Sequence, residues 1–277
     1  MLSFQTNHQE FVPSEELQRN IKCFWYDKIE CKKEESGFEV VPDGYAEIIF
    51  YFGSELSISY QDSLKVLPSP FIMGLLNQPA VFNSIDSFEI IGIRCYPWTI
   101  FDMLGLSAAK GKNGVQVFTH PIAELQSVLC DLIRLHQIEE AIAKVEDYFL
   151  KKQLQSSEDS LLFKAGTAMT AGGGNMPVSQ IAAASHTTVR TLERNFKQSS
   201  GYTVKDVSGL MRFEQVRNRL WHEPNLNIAG LAQELGYTDQ SHLSREFKRY
   251  SGTTPAVFAR KAKQQTINND FVAFIQS

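Results

Sequence analysis

Hydrophobic and polar positions change their rhythm along this chain. Over roughly the first hundred residues the apolar runs are short, β-branched and aromatic: AEIIFYF at 46–52, LSISY at 56–60, then VLPSPFIMGLL, AVFNSI and FEIIGIRCY. Pro68, Pro70, Pro79 and Pro97 interrupt them. Runs of this length between turn residues predict strands, and their number predicts a barrel or sandwich. Gly53-Ser54-Glu55, between the first two runs, reads as a hairpin turn. After Pro97 the pattern becomes helical. WTIFDMLGL predicts a short helix ending near Gly105. Pro121 suits a first helical position, and Ile122, Leu125, Leu129, Leu132 and Ile133 repeat at helical spacing to about Leu135. A second helix is predicted over 137–154, with Ile138, Ile142, Val145 and Phe149 on one face. QSSEDS at 155–160 is small and polar and marks a domain boundary.

Beyond that boundary the pattern is helical almost throughout, broken by Gly172-Gly173-Gly174, which a helix interior tolerates poorly. An internal repeat stands out. Val178, Ile181 and Ala182 recur as Ile228, Leu231 and Ala232 at an offset of 50. Leu192, Arg194, Phe196, Lys197, Ser200, Gly201 and Thr203 recur as Leu243, Arg245, Phe247, Lys248, Ser251, Gly252 and Thr254 at an offset of 51. The second copy has gained one residue in the turn between its helices.

Each copy predicts a short helix, a tight turn and a second helix. In the second copy Asn227 caps a helix over 228–235, Gly236 takes the left-handed position that ends it, and Asp239 caps a helix over 240–250. Leu243 and Phe247, four apart, share the buried face and leave Gln240, Ser241, Ser244, Arg245 and Lys248 outward. This is the helix-turn-helix arrangement, whose second helix enters a DNA major groove. Thr203 caps a spacer helix over 204–222, stopped by Pro224.

Charge agrees with this division. The chain carries 27 Lys+Arg and 31 Asp+Glu. Residues 158–263 are net +5 and the remainder net −9, so the anionic partner, if any, belongs to the C-terminal part. No apolar run approaches the roughly 18 residues of a membrane span. The N-terminus lacks the pattern of a secretory signal, and Cys23, Cys31, Cys95 and Cys130 form no CxxC pair. These features predict a cytoplasmic protein with no membrane partner. The six histidines lie at no compact metal-ligand spacing, and GxSxG, P-loop and GxGxxG motifs are absent, so neither a metal, a cofactor nor an enzymatic role is expected.

DQSHLSREFKRYSGTTPAVFAR and TTVRTLERNFKQSSGYTV resemble the DNA-binding domain of the AraC/XylS family of transcription regulators over roughly 158–263. More weakly, VPDGYAEIIFYFG and GIRCYPWTIFDMLGL resemble a β-rich sensor domain found in some of these regulators. The resemblance implies an α+β chain: a barrel-like, cupin-like domain with following helices over 1–155, an all-α double helix-turn-helix domain over 158–263, and a tail over 264–277. It implies base contacts from Arg190 and Arg194 in the first reading helix, and from Gln240, Ser241 and Arg245 in the second. Arginine pairs with guanine through two parallel hydrogen bonds, and glutamine pairs with adenine. Thr188, Thr191, Lys197, His242, Ser244 and Lys248 suit phosphates, which position the protein without specifying sequence.

The competing reading ties Arg194 and Arg245 into ion pairs with Glu193 and Glu246, while Arg212 and Arg219, seven apart on one face of the spacer, read as a solvated face in preference to a phosphate contact. Glu193 stands at the margin of the reading face, where an acid limits how deeply the helix docks. Some regulators with a similar module carry a DNA-repair cysteine, but KCFWYD and IECKKEE form no compact multi-cysteine site. Double-stranded DNA is the expected partner. A small-molecule effector, a second copy of the chain and RNA polymerase are the further candidates. An effector pocket is sought among Trp25, Tyr26, Tyr45, Phe50, Phe52 and Trp98, against the alternative that these aromatics are core. The other functional class is a ligand-binding or protein-interaction module in which DNA contact is secondary.

Overall fold

A computed structural model of the chain describes residues 5–30, 37–60, 63–107, 114–154 and 160–268. Most of the QSSEDS segment expected to divide the domains, Cys31, and the last nine residues of the expected tail lie outside the described residues.

The N-terminal part is built in three layers. Its large sheet runs in the order β1 (Gln5–Thr6), β3 (Ile21–Glu30), β10 (Phe88–Cys95), β5 (Ala46–Gly53), β8 (Phe71–Met73) and β11 (Val115–Gln116), with β2 (Gln9–Phe11) also paired to β3. A second sheet runs β4 (Gly37–Val40), β9 (Ala80–Ser84), β6 (Leu56–Tyr60) and β7 (Ser63–Val66). All described pairings are antiparallel.

The two sheets face each other across one core. Trp25, Ile49, Phe71 and Ile90 from the large sheet meet Phe38, Val40, Leu56, Ile58 and Phe82 from the small one. They form two facing sheets, not a closed barrel. The opposite face of the large sheet, with Phe24, Tyr26, Ile48, Phe50, Ile91 and Ile93, is covered by helices. These are α1 (Thr99–Leu104), α2 (Leu125–Arg134), which follows one 3-10 turn at Pro121–Glu124, and α3 (Ile138–Gln153). Coverage on both sides explains why β3, β5 and β10 read as nearly continuous apolar runs without a clear alternation. It also fixes Gly92: a Cβ there would lie 2.0 Å from the Trp25 ring.

One sequence expectation fails here. AEIIFYF and LSISY do not pair as a hairpin. β5 bonds to β10 and β8, and β6 bonds to β9 and β7. Gly53, at φ 106, carries the chain from one sheet to the other. A glycine turn between two apolar runs says that the chain reverses, not which strand each run will pair with.

The C-terminal part is helical: α4 (Leu161–Ala171), α5 (Val178–Ala184), α6 (Val189–Ser200), α7 (Val204–His222), α8 (Ile228–Glu234), α9 (Gln240–Ser251) and α10 (Pro255–Asn268). The repeat is visible in its caps. Thr188 accepts from Thr191 N at 3.2 Å, and Asp239 accepts from His242 N at 2.7 Å. Gly201 and Gly252 end α6 and α9 in the left-handed conformation. Within the first motif, His186 at φ 52 stands where the second has Gly236 at φ 71. Thr203 and Asp206 close a reciprocal capping box on α7.

The two parts share a core. Trp98, contributed from just before α1, is 2% exposed and belongs to the cluster formed by Phe196, Leu210, Phe213 and Phe247. Its ring stacks on Tyr96 at 5.4 Å and meets Phe196 edge-on at 6.5 Å. Gly166 in α4 makes room for it, since a Cβ there would stand 2.2 Å from the indole.

Candidate nucleic-acid interface

The two repeated units present equivalent polar faces. In α6, Leu192 and Phe196 are buried while Arg190, Arg194 and Lys197 are exposed. In α9, Leu243 and Phe247 are buried while Gln240, Ser241, Arg245 and Lys248 are exposed. Thr191, His242 and Ser244 are half-buried at the edges of these faces. Thr188 is exposed, but its hydroxyl already caps α6. His242 packs its ring edge-on against Tyr237 at 5.3 Å, which holds the start of α9 against the turn before it.

The acids of the same helices point elsewhere. Glu193 Oε2 accepts from Val204 N at 3.2 Å, at the first turn of α7. A carboxylate suits that position because the helix N-terminus carries partial positive charge. Glu246 pairs with Arg212 of α7 at 3.1 Å. The ion pairs weighed for Arg194 and Arg245 are therefore not formed. Among the described residues, Arg190, Arg194, Lys197, Arg245 and Lys248 have no carboxylate at ion-pair distance.

Arg212 is drawn out of solvent, whereas Arg219 stays on an exposed face, in surface ion pairs. Arg212 donates to Gly174 O at 2.8 Å, pairs with Glu246 and lies 5.3 Å over the Tyr237 ring. Arg219 meets Glu234 at 2.6 Å and Glu223 at 3.6 Å. These contacts tie α7 to the triple-glycine turn and to the second unit. The sequence marked the triple glycine as a turn but gave no sign of its partner. Gly174, at φ 74, brings its backbone so near that a Cβ would stand 2.6 Å from Ser208 O of α7.

A family of helix-turn-helix domains matches residues 181–261, from the middle of α5 into α10, and so takes in both units and the spacer. This region of the chain is a helix-turn-helix domain of the AraC type. It is 32% identical over 82 residues to the HTH-type transcriptional regulator RipA of Corynebacterium diphtheriae, covering 30% of this chain and 24% of that protein. The RipA protein of Corynebacterium glutamicum is 32% identical over 69 residues. The chain thus spans about a quarter or less of the curated relatives it matches.

Residues 9–115, ahead of the AraC-type domain, match a domain family of unknown function, DUF6597. Among solved structures, ToxT of Vibrio cholerae, in a crystal described as bound to an unsaturated fatty acid, aligns over 94% of this chain and 95% of its own. It does so at 12% identity and a TM-score of 0.47. The C-terminal domain of AraT from Geobacillus stearothermophilus covers 38% of the chain at 21% identity and a TM-score of 0.34.

The described cavities do not gather the six aromatics considered for an effector pocket around one site. Trp25 lines a small apolar space of about 20 Å³ between the two sheets, with Phe38, Ile49, Phe71 and Phe82. Its polar wall is Glu47, which accepts from Arg94 Nε at 2.7 Å. Phe52 lines a different cavity of about 270 Å³ beside the end of α2, with Lys28, Phe88, Ile133, Arg134 and His136. Tyr26 and Phe50 pack under the helices, and the Tyr26 hydroxyl donates to Glu89 at 2.6 Å. Tyr45 and Trp98 stand at the junction with the AraC-type domain, each near Tyr96. Local composition identified large rings but could not assign them to faces of a sheet covered on both sides.

Among the described residues no helix is long and apolar enough to cross a membrane, and no three His, Cys, Asp or Glu side chains stand close enough to hold a metal ion.

Proposed function

We propose that this protein regulates transcription by reading duplex DNA, with α6 and α9 lying in successive major grooves. The observation that carries this reading is the pair of equivalent cationic faces, free of ion pairs, on helices whose own acids are held inward. The spacer supports it: 19 residues at about 1.5 Å each give roughly 28 Å, near the pitch of about 34 Å for one turn of B-DNA. Arg190, Arg194, Gln240, Ser241 and Arg245 read bases. Thr188, Thr191, Lys197, His242, Ser244 and Lys248 hold phosphates. Such work places the protein in the cytoplasm with the chromosome, and gives it no catalytic role. The N-terminal layers respond to a small effector, to a second copy or to both, and pass the result to RNA polymerase through the bound DNA.

Selection from a random duplex pool, followed by titration against salt, tests this. Affinity should fall steeply with salt because phosphate contacts release counterions. Arg245→Ala should cost about 1–3 kcal/mol and relax preference at one base pair. A flat salt response with no selected sequence would mean that DNA contact is secondary. Uniform weakening on all sequences would make Arg245 a phosphate contact.

A further inference from the structure

Residues 74–79 leave β8 of the N-terminal sheet and touch the helical part near Tyr202 and Gly252. Two adjacent side chains on this segment enter different cores. Leu75 is 1% exposed and lies in the cluster of the AraC-type domain with Phe196, Leu210 and Phe247. Leu76 is buried in the cluster between the two sheets with Phe71, Phe82 and Val115. Successive side chains on an extended backbone point to opposite sides, so one short segment seals both cores. Gly114, at φ 74, accommodates this: a Cβ there would stand 2.6 Å from Leu76 Cδ2. Gly74 N donates to Gly114 O at 2.6 Å.

The same segment touches the C-terminal end of each reading helix. Leu75 O accepts from the Tyr202 hydroxyl at 2.9 Å, one residue past the glycine that ends α6. The Pro79 ring reaches Gly252, which ends α9, with Cγ 3.9 Å from where a Cβ would stand. Gly201 N and Gly252 N close equivalent bonds, to Lys197 O at 3.1 Å and to Lys248 O at 3.0 Å.

We propose that residues 74–79 are a strap that sets the relative position of the two reading helices from the packing between the N-terminal sheets, with Leu75, Leu76 and Pro79 as its positioning residues. The DNA consequence rests on the reading above; the mechanical link does not. A change in the sheet interior displaces Leu76. Leu75 and Pro79 move with it, because four residues of chain cannot absorb the shift without releasing one core or the other. Both helix ends then loosen together, although neither contacts the sheet interior itself.

Amide hydrogen exchange on the full chain without DNA tests the link. Leu76→Ala should speed exchange of the Gly201 and Gly252 amides by about tenfold, since a buried cavity on the strap lowers the local opening free energy. Ile58→Ala makes a hole in the same cluster, on β6 and off the strap, so it reaches Leu76 only indirectly and should speed both amides clearly less than Leu76→Ala does. Leu76→Met should restore protection. Tyr202→Phe should expose Gly201 alone, and Pro79→Gly should expose Gly252 alone. These two keep the question answerable if Leu76→Ala does not fold.

Equal acceleration by Ile58→Ala, or an unmoved Gly201 amide in Tyr202→Phe, would overturn the proposal. On duplexes whose half-sites are separated by added base pairs, Leu76→Ala should bind the series more evenly than wild type. If wild type binds no duplex, the DNA reading fails while the exchange result still decides the strap.

Discussion

Gly166 and Trp98 stand on opposite sides of the junction between the two parts, and substituting one should reverse the effect of substituting the other. Gly166 lies inside α4, where alanine is favoured over glycine by about 1 kcal/mol. A Cβ at that position would stand 2.2 Å from Trp98 Cε2 and Cζ2. Ordinary contact needs more than 3.4 Å, so the ring must retreat by more than an ångström. It has nowhere to go: Trp98 is 2% exposed, stacked on Tyr96 and braced by Phe196. Overpacking of that kind costs about 1–3 kcal/mol, and the confinement puts this case at the upper end.

Gly166→Ala should therefore destabilise wild type by about 1–2 kcal/mol after the helix gain is allowed for. Trp98→Ala alone should cost about 3–5 kcal/mol. In that background the obstacle is gone, and Gly166→Ala should stabilise by up to about 1 kcal/mol. The assay is urea unfolding of the four proteins, followed by far-ultraviolet circular dichroism and by the fluorescence of Trp25 and Trp221, which survive in all of them. An effect of Gly166→Ala with the same sign and size in both backgrounds would refute the reasoning, because it would mean that Trp98 does not fill the space at Gly166.

Three further outcomes follow from particular residues. His186→Gly should raise stability by about 0.5–1 kcal/mol, because a left-handed residue with a Cβ costs more than the entropy glycine adds to the unfolded chain; thermal unfolding measures it. Glu214 of α7 is pushed up to about 7 by burial and by nearby Asp43, against the opposing charges of Arg217, Arg94 and Lys22. The folded state then holds this proton more tightly than the unfolded state. Its contribution to stability is full below about 4.5 and is lost as pH rises through about 7, so Glu214→Gln should flatten urea stability against pH in that window. Thr188→Asp retains a side-chain acceptor for the α6 cap and brings an anion to the face assigned to phosphate. Unfolding should change little while DNA affinity drops at low salt, and unchanged affinity would leave Thr188 as a cap alone.

Features set by neighbours in sequence were legible. The bounds of α7, the left-handed Gly236 after α8, and the caps at Thr203, Asn227 and Asp239 follow from local backbone chemistry, and each stands where the pattern put it. The exposed and buried faces of α6 and α9 were legible for the same reason, since four-residue spacing fixes a helix face. What could not be read was partnership across distance. Glu193 and Glu246 sit beside Arg194 and Arg245 in sequence, yet one caps α7 and the other reaches Arg212. β5 and β6 adjoin in sequence and belong to different sheets. Trp98 reads as an aromatic of the N-terminal part and is spent in the core of the other. In each case the deciding atoms lie beyond the reach of local spacing, 11 residues away for Glu193 and 34 for Glu246.

The spacer helix has a consequence for the nucleic acid. α7 buries Val207, Leu210, Phe213, Val216 and Leu220, and Phe213 packs against Phe247 at 5.0 Å and Tyr250 at 5.3 Å. It is a wall common to both reading units, and with the strap at 74–79 in place it leaves them little freedom to pivot. When the groove phase of a duplex does not match the fixed offset of α6 and α9, the misfit falls on the duplex. Base steps between the two contacted segments are then selected for how cheaply they bend, and pyrimidine–purine steps such as TA and CA bend most readily. Sequence preference should therefore extend to base pairs that no side chain of this protein touches.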